Sequence, residues 1–327
     1  MVILTINQRE KGDKMEYKKL GKSDLKVSRI GLGTWQFGSP GWLFTDKEAM
    51  KKVLNYALDN GINFIDTAEV YGNGISETVI GEVIKERGDR EELVIATKVS
   101  PSHFRYNDVL KAAKKSLERL QIDVIDLYQL HWPNNYVPVS ETIKAVERLI
   151  DEGLVRYVGL SNFPPCLTRE AVNSLKKYEI ISNQVRYNVI ERDIEKEILP
   201  TMRELGIVII AYSPLAMGLL SGKYDENTTF PKEDYRSNHP LFANKDNYRQ
   251  VLEFVNLLRE IGQKYNKTVP QVVINWLLKF DDVFPIPGAK SPEHVESNIG
   301  AVGWSLSDDD WARIKEASDK LNFSYFY

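Results

Sequence analysis

The stretch Leu93-Val94-Ile95-Ala96-Thr97-Lys98 is a short apolar run of strand-forming residues, and Asp126–Leu130 is a second run of the same kind. Between them, apolar residues recur at helical spacing after a polar start at Asn107, which we expect to cap the helix. The stripe consists of Leu110, Ala113, Leu117 and Leu120. Strand, amphipathic helix and strand in this order predict a βαβ unit with parallel strands.

The same alternation is repeated along the chain, which predicts the α/β class. The eight expected strands lie near Ile30–Leu32, Asn63–Asp66, Leu93–Lys98, Asp126–Leu130, Tyr157–Leu160, Ser182–Val185, Val208–Tyr212 and Phe284–Pro287. Eight βα units predict a closed (β/α)8 TIM barrel, whose usual size of about 250 residues leaves room for additions within 327 residues. An open doubly wound sheet is disfavoured because the first turn, Gly31–Gln36, lacks the third glycine of G-x-G-x-x-G.

Additions to the barrel are expected at both ends and after the seventh strand. Tyr17–Leu20 and Leu25–Ser28 predict an N-terminal β-hairpin that caps the barrel bottom, and Gly222–Asn244 is interpreted as a loop. Asp308–Leu321 predicts an extra C-terminal helix, capped by Ser307. We expect residues 1–327 to form a single domain in which residues 1–14 are a flexible extension. The aromatic end, residues 323–327, is compatible with two forms, an ordered lid over the barrel mouth or a frayed terminus, and the ordered lid is the one we expect.

Composition excludes several classes of protein. Lys and Arg number 43 against 46 Asp and Glu, a net charge of −3 that gives no general reason to bind nucleic acid or an anionic membrane. Apolar runs are too short to span a bilayer, and the start does not resemble a signal peptide, so we expect a cytoplasmic protein. Cys166 is the only cysteine and is expected to be a buried small residue. His103 and His239 lack metal-ligand spacing, so no metal site is expected.

Four polar residues stand where barrel strands end or just beyond, at the end of a barrel where catalytic groups lie. They are Asp66, Tyr71, Lys98 and His131. Taken singly, each has an ordinary explanation: a turn-forming aspartate, a packed tyrosine, a lysine reaching solvent and a core histidine. Together they predict an acid relay, because Lys98 held by Asp66 would place positive charge beside Tyr71. We expect this charge to lower the pKa of Tyr71 and make it a general acid, with His131 orienting a carbonyl oxygen.

The order and spacing of many motifs resemble those of the aldo-keto reductase family from Tyr17 to Leu321. These motifs include Gly31–Trp35, Asn63–Ala68, Tyr71-Gly72, Ser76-Glu77, Ala96–Lys98, Asp126–Pro133, Gly153, Arg156–Phe163, Gln184, Tyr212–Leu215 and Pro285–Lys290. The resemblance implies a barrel that reduces aldehydes or ketones with NADPH through the catalytic set Asp66, Tyr71, Lys98 and His131.

The resemblance also implies a cofactor site along the later loops. Ser161, Asn162 and Gln184 match residues that bind the nicotinamide carboxamide, and Tyr212 matches the aromatic ring that stacks on nicotinamide. The expected cofactor residues further include Gly33, Thr34, Trp35, Asp66, Ser213, Pro214, Leu215, Gly218, Leu219, Gly222, Lys223, Arg236, Ile286, Gly288, Lys290, His294 and Asn298. Lys290 is expected to bind the 2′-phosphate of NADPH. His294 and Ser297 stand where the family usually has other residues. NADH is therefore expected as a less preferred cofactor.

The expected partner is a small carbonyl substrate, bound by a monomer or small homo-oligomer. The substrate residues are expected to be Trp35, Tyr71, His131, Trp132 and Phe163, with Trp42 and Phe44 as further candidates at the mouth. Such a lining suggests aryl or medium aliphatic carbonyls. Two alternatives remain open: a cofactor-sensing regulatory subunit, and Schiff-base chemistry at Lys98.

Overall fold

Parallel β-strands form the centre of the computed structural model, which describes residues 15–323. In chain order its strands are β1 (Tyr17–Lys19), β2 (Lys26–Ser28), β3 (Leu32–Gly33), β4 (Phe64–Asp66), β5 (Val94–Val99), β6 (Ile125–Leu130), β7 (Val155–Ser161), β8 (Ile180–Arg186), β9 (Val208–Tyr212) and β10 (Val283–Pro285). Strands β3 to β10 pair in sequence order, each parallel to the next.

The two edges of this sheet meet and close the barrel. The Gly31 amide donates to the Pro285 carbonyl at 2.9 Å, and the Gly33 amide donates to the Pro287 carbonyl at 3.2 Å. The predicted (β/α)8 TIM barrel is confirmed, although β3 and β10 are shorter than the motifs suggested and are displaced from them by one or two residues.

Helices surround the sheet and bury their apolar faces against it. They are α1 (Lys47–Asp59), α2 (Ile75–Arg87), α3 (Tyr106–Leu120), α4 (Val139–Asp151), α5 (Pro165–Ser174), α6 (Ile198–Leu205), α7 (Pro240–Ala243), α8 (Lys245–Tyr265), α9 (Val269–Leu278), α10 (Pro292–Ile299) and α11 (Asp308–Asp319). The extra C-terminal helix is confirmed as α11, where the Ser307 hydroxyl accepts from the Asp310 amide. No helix within residues 15–323 is both long and apolar enough to cross a membrane.

The N-terminal hairpin β1–β2 closes the bottom of the barrel, as predicted. Leu20, Leu25 and Val27 are buried and pack into the same cluster as Phe64 and Leu127 from the barrel strands. A plug of apolar side chains at this end leaves the opposite end, where the strands terminate, as the open mouth.

Several local predictions were wrong. Helix α3 begins at Tyr106, so Asn107 lies inside the helix and is not its cap; the Glu141 carboxylate accepts the Tyr106 amide at 3.0 Å instead. Cys166 is exposed, because the buried face of α5 runs through Thr168 and Ala171.

The segment interpreted as a loop, residues 222–244, contains a short 3-10 helix, Tyr235–Asn238, and α7. The extension at residues 1–14 and all but the first residue of the aromatic tail at 323–327 lie outside the described residues.

Gly81 sits where α2 crosses α3. A Cβ atom on this residue would lie 2.4 Å from the Arg119 carbonyl oxygen and 2.6 Å from the Leu120 carbonyl carbon. Backbone atoms cannot rotate away as side chains do, so Gly81→Ala should overpack this crossing and lower the free energy of unfolding by about 1–3 kcal/mol. Lys111→Ala, on the exposed face of α3, is the control and should change stability by less than about 0.5 kcal/mol in urea unfolding. Equal stability of the two variants would contradict this packing.

Candidate active site

A buried lysine organises the open end of the barrel. Lys98 on β5 is fully buried, and its Nζ donates to Asp66 Oδ1 at 2.5 Å, to the Thr67 carbonyl at 2.8 Å and to the Tyr71 hydroxyl at 3.1 Å. The three donor positions of the ammonium are therefore all occupied. The structure brings together Asp66, Tyr71 and Lys98 as the sequence analysis expected.

The second oxygen of Asp66 is held by two amides. Asp66 Oδ2 accepts from Gln129 Nε2 at 3.0 Å and from Gln184 Nε2 at 2.7 Å. Gln129 was not among the expected site residues, yet it pairs in register with Lys98 across β5 and β6. A second polar side chain, besides Asp126, in this short buried strand is the signal that could have identified Gln129.

The electrostatics of Tyr71 differ from expectation. Withdrawal of its hydroxyl from water raises the pKa of Tyr71, and the nearby Lys98 charge offsets this only in part. The prediction of a lowered pKa was wrong because it counted the cation and omitted the cost of burying a phenolate. Tyr71 is therefore a neutral phenol that holds a proton available for donation.

Lys98 stays charged in this environment. Burial acts to lower the pKa of Lys98, but the adjacent Asp66 and Tyr71 outweigh burial and raise it. A lysine that is fully buried, charged and hydrogen-bonded on three sides is poorly suited to attack a carbonyl carbon. The Schiff-base alternative loses its support at this residue.

His131 stands beside Tyr71 as an uncharged ring. Its imidazole meets the Tyr71 ring edge to face at 5.7 Å between centroids, and its amide donates to the Val99 carbonyl at 3.1 Å. Burial, reinforced by the Lys98 charge, lowers the pKa of His131 to about 3. A neutral imidazole retains one N–H donor at physiological pH.

The loop that carries Tyr71 depends on a glycine. Gly72 has a φ of +56°, and a Cβ on it would lie 2.8 Å from the Phe37 carbonyl oxygen. The absence of a side chain lets the Tyr71 loop lie directly against the loop after β3, which places the phenol over the barrel.

A cavity of about 780 Å³ opens above these groups, a volume suited to a small molecule or cofactor. Most of the expected site residues line it. They are Gly33, Trp35, Asp66, Tyr71, His131, Trp132, Ser161, Asn162, Gln184, Tyr212, Ser213, Pro214, Leu215, Gly218, Lys223, Arg236, Ile286, Gly288, Lys290, His294 and Asn298.

Five expected residues lie outside the cavity lining. Lys98 lies beneath Tyr71, and the Thr34 hydroxyl is buried between the Asp66 carbonyl and Ser76. Phe163 and Leu219 are both 1% exposed. The Gly222 carbonyl turns away to accept from Arg259. Burial therefore contradicts the expectation that Phe163 lines the substrate mouth and that the side chains of Thr34 and Leu219 face a cofactor directly.

The backbone after β9 is unusual along the cavity wall. Ser213, Ala216 and Met217 have φ values of 50°, 46° and 56°, and Gly218 has 93°. Left-handed conformations cost non-glycine residues free energy and are concentrated at functional sites. Successive amides in such conformations can form an anion-binding concavity.

Cations gather at the end of the cavity near this backbone. Arg236 pairs with Asp234 through Nη2 and Oδ2 at 2.5 Å and donates to the Tyr224 hydroxyl at 2.6 Å. Lys223 and Lys290 line the same cavity, and within residues 15–323 no carboxylate lies within ion-pair distance of either one. Burial, and repulsion from the Arg236 charge, lower the pKa of both lysines. An anion bound here would stabilise their charged forms.

His294 adds no charge to this cluster. Its Nδ1 accepts from the Lys290 amide at 3.3 Å, and burial lowers its pKa. Discrimination between anions at this end therefore falls to the lysines and Arg236.

Aromatic rings form the remaining wall. Trp35 stacks on Tyr235 with centroids 5.6 Å apart, and Trp42 meets Trp35 edge to face at 5.1 Å. Tyr235 was missed by the sequence analysis because it lies in a segment without periodicity. Phe44 packs against Phe37 in the core, away from the cavity wall.

Comparisons with known proteins agree on one family. A model described as "Aldo/keto reductase family" matches residues 29–319. Aldo-keto reductase YhdN of Bacillus subtilis is 35% identical over 307 residues, covering 90% of this chain and 91% of that protein. An NADH-specific methylglyoxal reductase of Escherichia coli is 32% identical over 331 residues, covering 92% and 98%. An aldo-keto reductase from Klebsiella pneumoniae, crystallised in complex with NADPH, has a TM-score of 0.72 at 31% identity, covering 89% and 91%.

The neutral state of the half-buried His131 ring makes the free energy of unfolding depend on pH. In the unfolded chain, His131 has a pKa of about 6.5 and binds a proton below that pH, whereas in the folded protein it stays neutral until about pH 3. The unfolded state therefore binds more protons between these two values, and the free energy of unfolding decreases as the pH falls through this range. At about pH 4.5 the penalty is roughly 3 kcal/mol. Urea unfolding at about pH 7 and about pH 4.5 measures the effect. Between these two pH values, the parent should lose roughly 3 kcal/mol more free energy of unfolding than His131→Phe loses. Equal losses of stability in the two proteins would contradict a neutral His131 in the folded state.

Proposed function

The chain belongs to the aldo/keto reductase family, and from that premise we propose that it reduces aldehyde or ketone carbonyls to alcohols with NADPH, Tyr71 being the proton donor. One observation carries the proposal: the Tyr71 hydroxyl, 3.1 Å from Lys98 Nζ, lies in the same cavity as the unpaired cations Lys223 and Lys290. A proton donor at one end and anion-binding charge at the other suit a substrate and a phosphorylated cofactor together.

The residues of the cavity fit a nicotinamide dinucleotide phosphate. Gln36 Oε1, Trp42 Nε1 and Ser221 Oγ belong to its lining and are buried polar atoms without a hydrogen-bond partner in the described structure. A Cβ at Gly33 would lie 2.7 Å from the Ile286 carbonyl oxygen. Only glycine therefore fits at this position in the cavity wall. Polar groups left unsatisfied beside a cavity favour a ligand with many hydrogen-bonding atoms.

The residues expected to bind the cofactor form separate groups, and each group is proposed to bind a different part of it. Ser161, Asn162 and Gln184 would bind the carboxamide, and Tyr212, whose hydroxyl donates to Asn162 Oδ1 at 3.1 Å, would stack on the nicotinamide. Lys223 and the backbone at residues 213–218 would bind the pyrophosphate, and Lys290 the 2′-phosphate. When bound, NADPH supplies a hydride for the carbonyl carbon.

Tyr71 supplies the proton that this reduction needs at the oxygen. The phenolate left behind lies beside the Lys98 ammonium, which stabilises the negative charge as it forms. Asp66 fixes the direction of that ammonium, and Gln129 fixes Asp66. Neutral His131 donates a hydrogen bond to the same carbonyl oxygen and orients it.

Cofactor choice is decided by the cationic end of the cavity. One relative is named as NADH-specific and one neighbouring structure contains NADPH, so the family uses both. Lys290 and Arg236 favour a cofactor with a 2′-phosphate, and the loss of charge at His294 limits this preference. NADH is proposed as the weaker cofactor.

Substrate choice is proposed to follow the aromatic wall. Trp35 lines the cavity, and Trp132, which is 48% exposed, stands at its mouth beside His131. Flat apolar surfaces of this kind favour aryl or medium aliphatic carbonyls over highly hydrated ones.

Tyr71→Phe should lower carbonyl reduction by about 10²–10⁴-fold while NADPH still binds, because only the proton donor is removed. NADPH oxidation across a panel of aldehydes and ketones measures turnover, and cofactor fluorescence measures binding. Tyr136→Phe is the matched control, since Tyr136 is 92% exposed, and it should react like the parent. Near-parental turnover by Tyr71→Phe would refute the assignment. A parent that binds NADPH yet reduces no carbonyl would favour the regulatory-subunit alternative.

Lys290→Ala should weaken NADPH binding by about 10–100-fold and NADH binding much less, because only NADPH has the 2′-phosphate. Dissociation constants from fluorescence titration of each cofactor measure the effect. The exposed Lys232→Ala, in the segment between β9 and α8, controls for loss of general positive charge. Equal weakening of NADPH and NADH by Lys290→Ala would overturn the assignment.

A further inference from the structure

Trp42 contacts both cations that face the proposed 2′-phosphate. The Lys290 ammonium donates to the Trp42 carbonyl oxygen and lies 5.2 Å from the centre of its indole ring. The Arg236 guanidinium carbon lies 5.7 Å from the same ring centre. One residue of the loop after β3 thus contacts a lysine and an arginine from two distant parts of the chain.

The indole is held firmly enough to act as a platform. Trp42 is 3% exposed and meets Trp35 at 5.1 Å and Tyr235 at 6.0 Å, both edge to face. A Cβ on Gly41 would lie 2.5 Å from the Tyr235 ring, so that ring packs directly on the backbone next to Trp42. These contacts fix the ring in the wall of the cavity.

Two neighbouring cations need such a surface to remain together. Burial and the Arg236 and Lys223 charges lower the pKa of Lys290, while Asp234 acts in the opposite direction. Asp234 is already engaged by Arg236 through both of its oxygens, at 2.8 and 2.5 Å. The negative face of an indole ring attracts both cations and compensates part of their repulsion.

The contact with Trp42 also leaves donors free for a ligand. The Lys290 ammonium has three N–H donors, and the Trp42 carbonyl is its only hydrogen-bond acceptor among the described residues. The indole Nε1 is itself buried without a partner in the same wall. A phosphate oxygen is the acceptor that this group of donors lacks.

We propose that Trp42 is a positioning residue for cofactor selectivity, which holds Lys290 and Arg236 so that they converge on the 2′-phosphate of NADPH. The inference rests on the proposed use of NADPH. It places a determinant of phosphate selectivity in the loop after the first barrel strand, far in sequence from Gly288–Ser291.

The test measures binding of two nucleotides that share every feature except the 2′-phosphate, namely 2′,5′-ADP (adenosine 2′,5′-bisphosphate) and 5′-AMP, by calorimetry on the intact protein. Trp42→Leu removes the aromatic face and should weaken 2′,5′-ADP binding about tenfold, while 5′-AMP binding stays within about twofold. Trp42→Phe restores an aromatic face and should recover part of the loss. Leu43→Ala, next in the same loop with an exposed side chain, should bind both probes as the parent does.

The outcomes separate this inference from the proposed function. Unchanged 2′,5′-ADP binding by Trp42→Leu, or equal weakening of both probes, would overturn the role of Trp42 and leave the NADPH proposal intact. A parent that binds 5′-AMP as tightly as 2′,5′-ADP would overturn both. If Trp42→Leu does not fold, the 15N-labelled parent provides a second measurement. Its Trp42 indole resonance, assigned with Trp42→Phe, should shift with 2′,5′-ADP and much less with 5′-AMP; equal shifts would overturn the inference.

Discussion

The buried ion pair between Lys98 and Asp66 is the constraint on which the site depends. An ammonium with no exposure to water is tolerated only when its donors are all satisfied, and here the acceptors come from Asp66, Thr67 and Tyr71. Asp66 is in turn held by Gln129 and Gln184. Side chains from β4, β5, β6 and β8 therefore converge in one polar layer at the top of an apolar barrel. The barrel needs these partners to bury the charge, and the same partners orient Tyr71.

The cavity has two electrostatically different ends, and each end suits one task. At the end near Lys98, Tyr71 and His131 are both neutral at physiological pH, because burial opposes the phenolate and the imidazolium alike. At the other end, Arg236 pairs with Asp234, while Lys223 and Lys290 have no carboxylate partner among the described residues, so the local charge is positive. A net charge of −3 for the whole chain conceals this separation, since binding responds to the local field rather than to the total.

Much of the fold was readable from the chain because the information is local and repeated. Alternation of apolar runs with helical stripes identified all eight barrel strands, and Tyr17–Ser28 was identified as a hairpin from a turn between two short strands. Errors arose where distant residues act. Asn107 lost its expected capping role to Glu141 of the following helix, and Tyr235 escaped notice because only the folded chain brings it against Trp35.

Periodicity and motif order sufficed for the barrel, the family resemblance and the grouping of Asp66, Tyr71 and Lys98, because strand ends in a parallel barrel must share one rim. Tertiary structure alone decided the protonation of that group. The pKa of Tyr71 depends on how completely water is excluded, which no spacing of residues records. Folding likewise removed Phe163 from the mouth and placed Trp42 beneath Lys290 and Arg236, because these contacts join segments that are far apart in the chain.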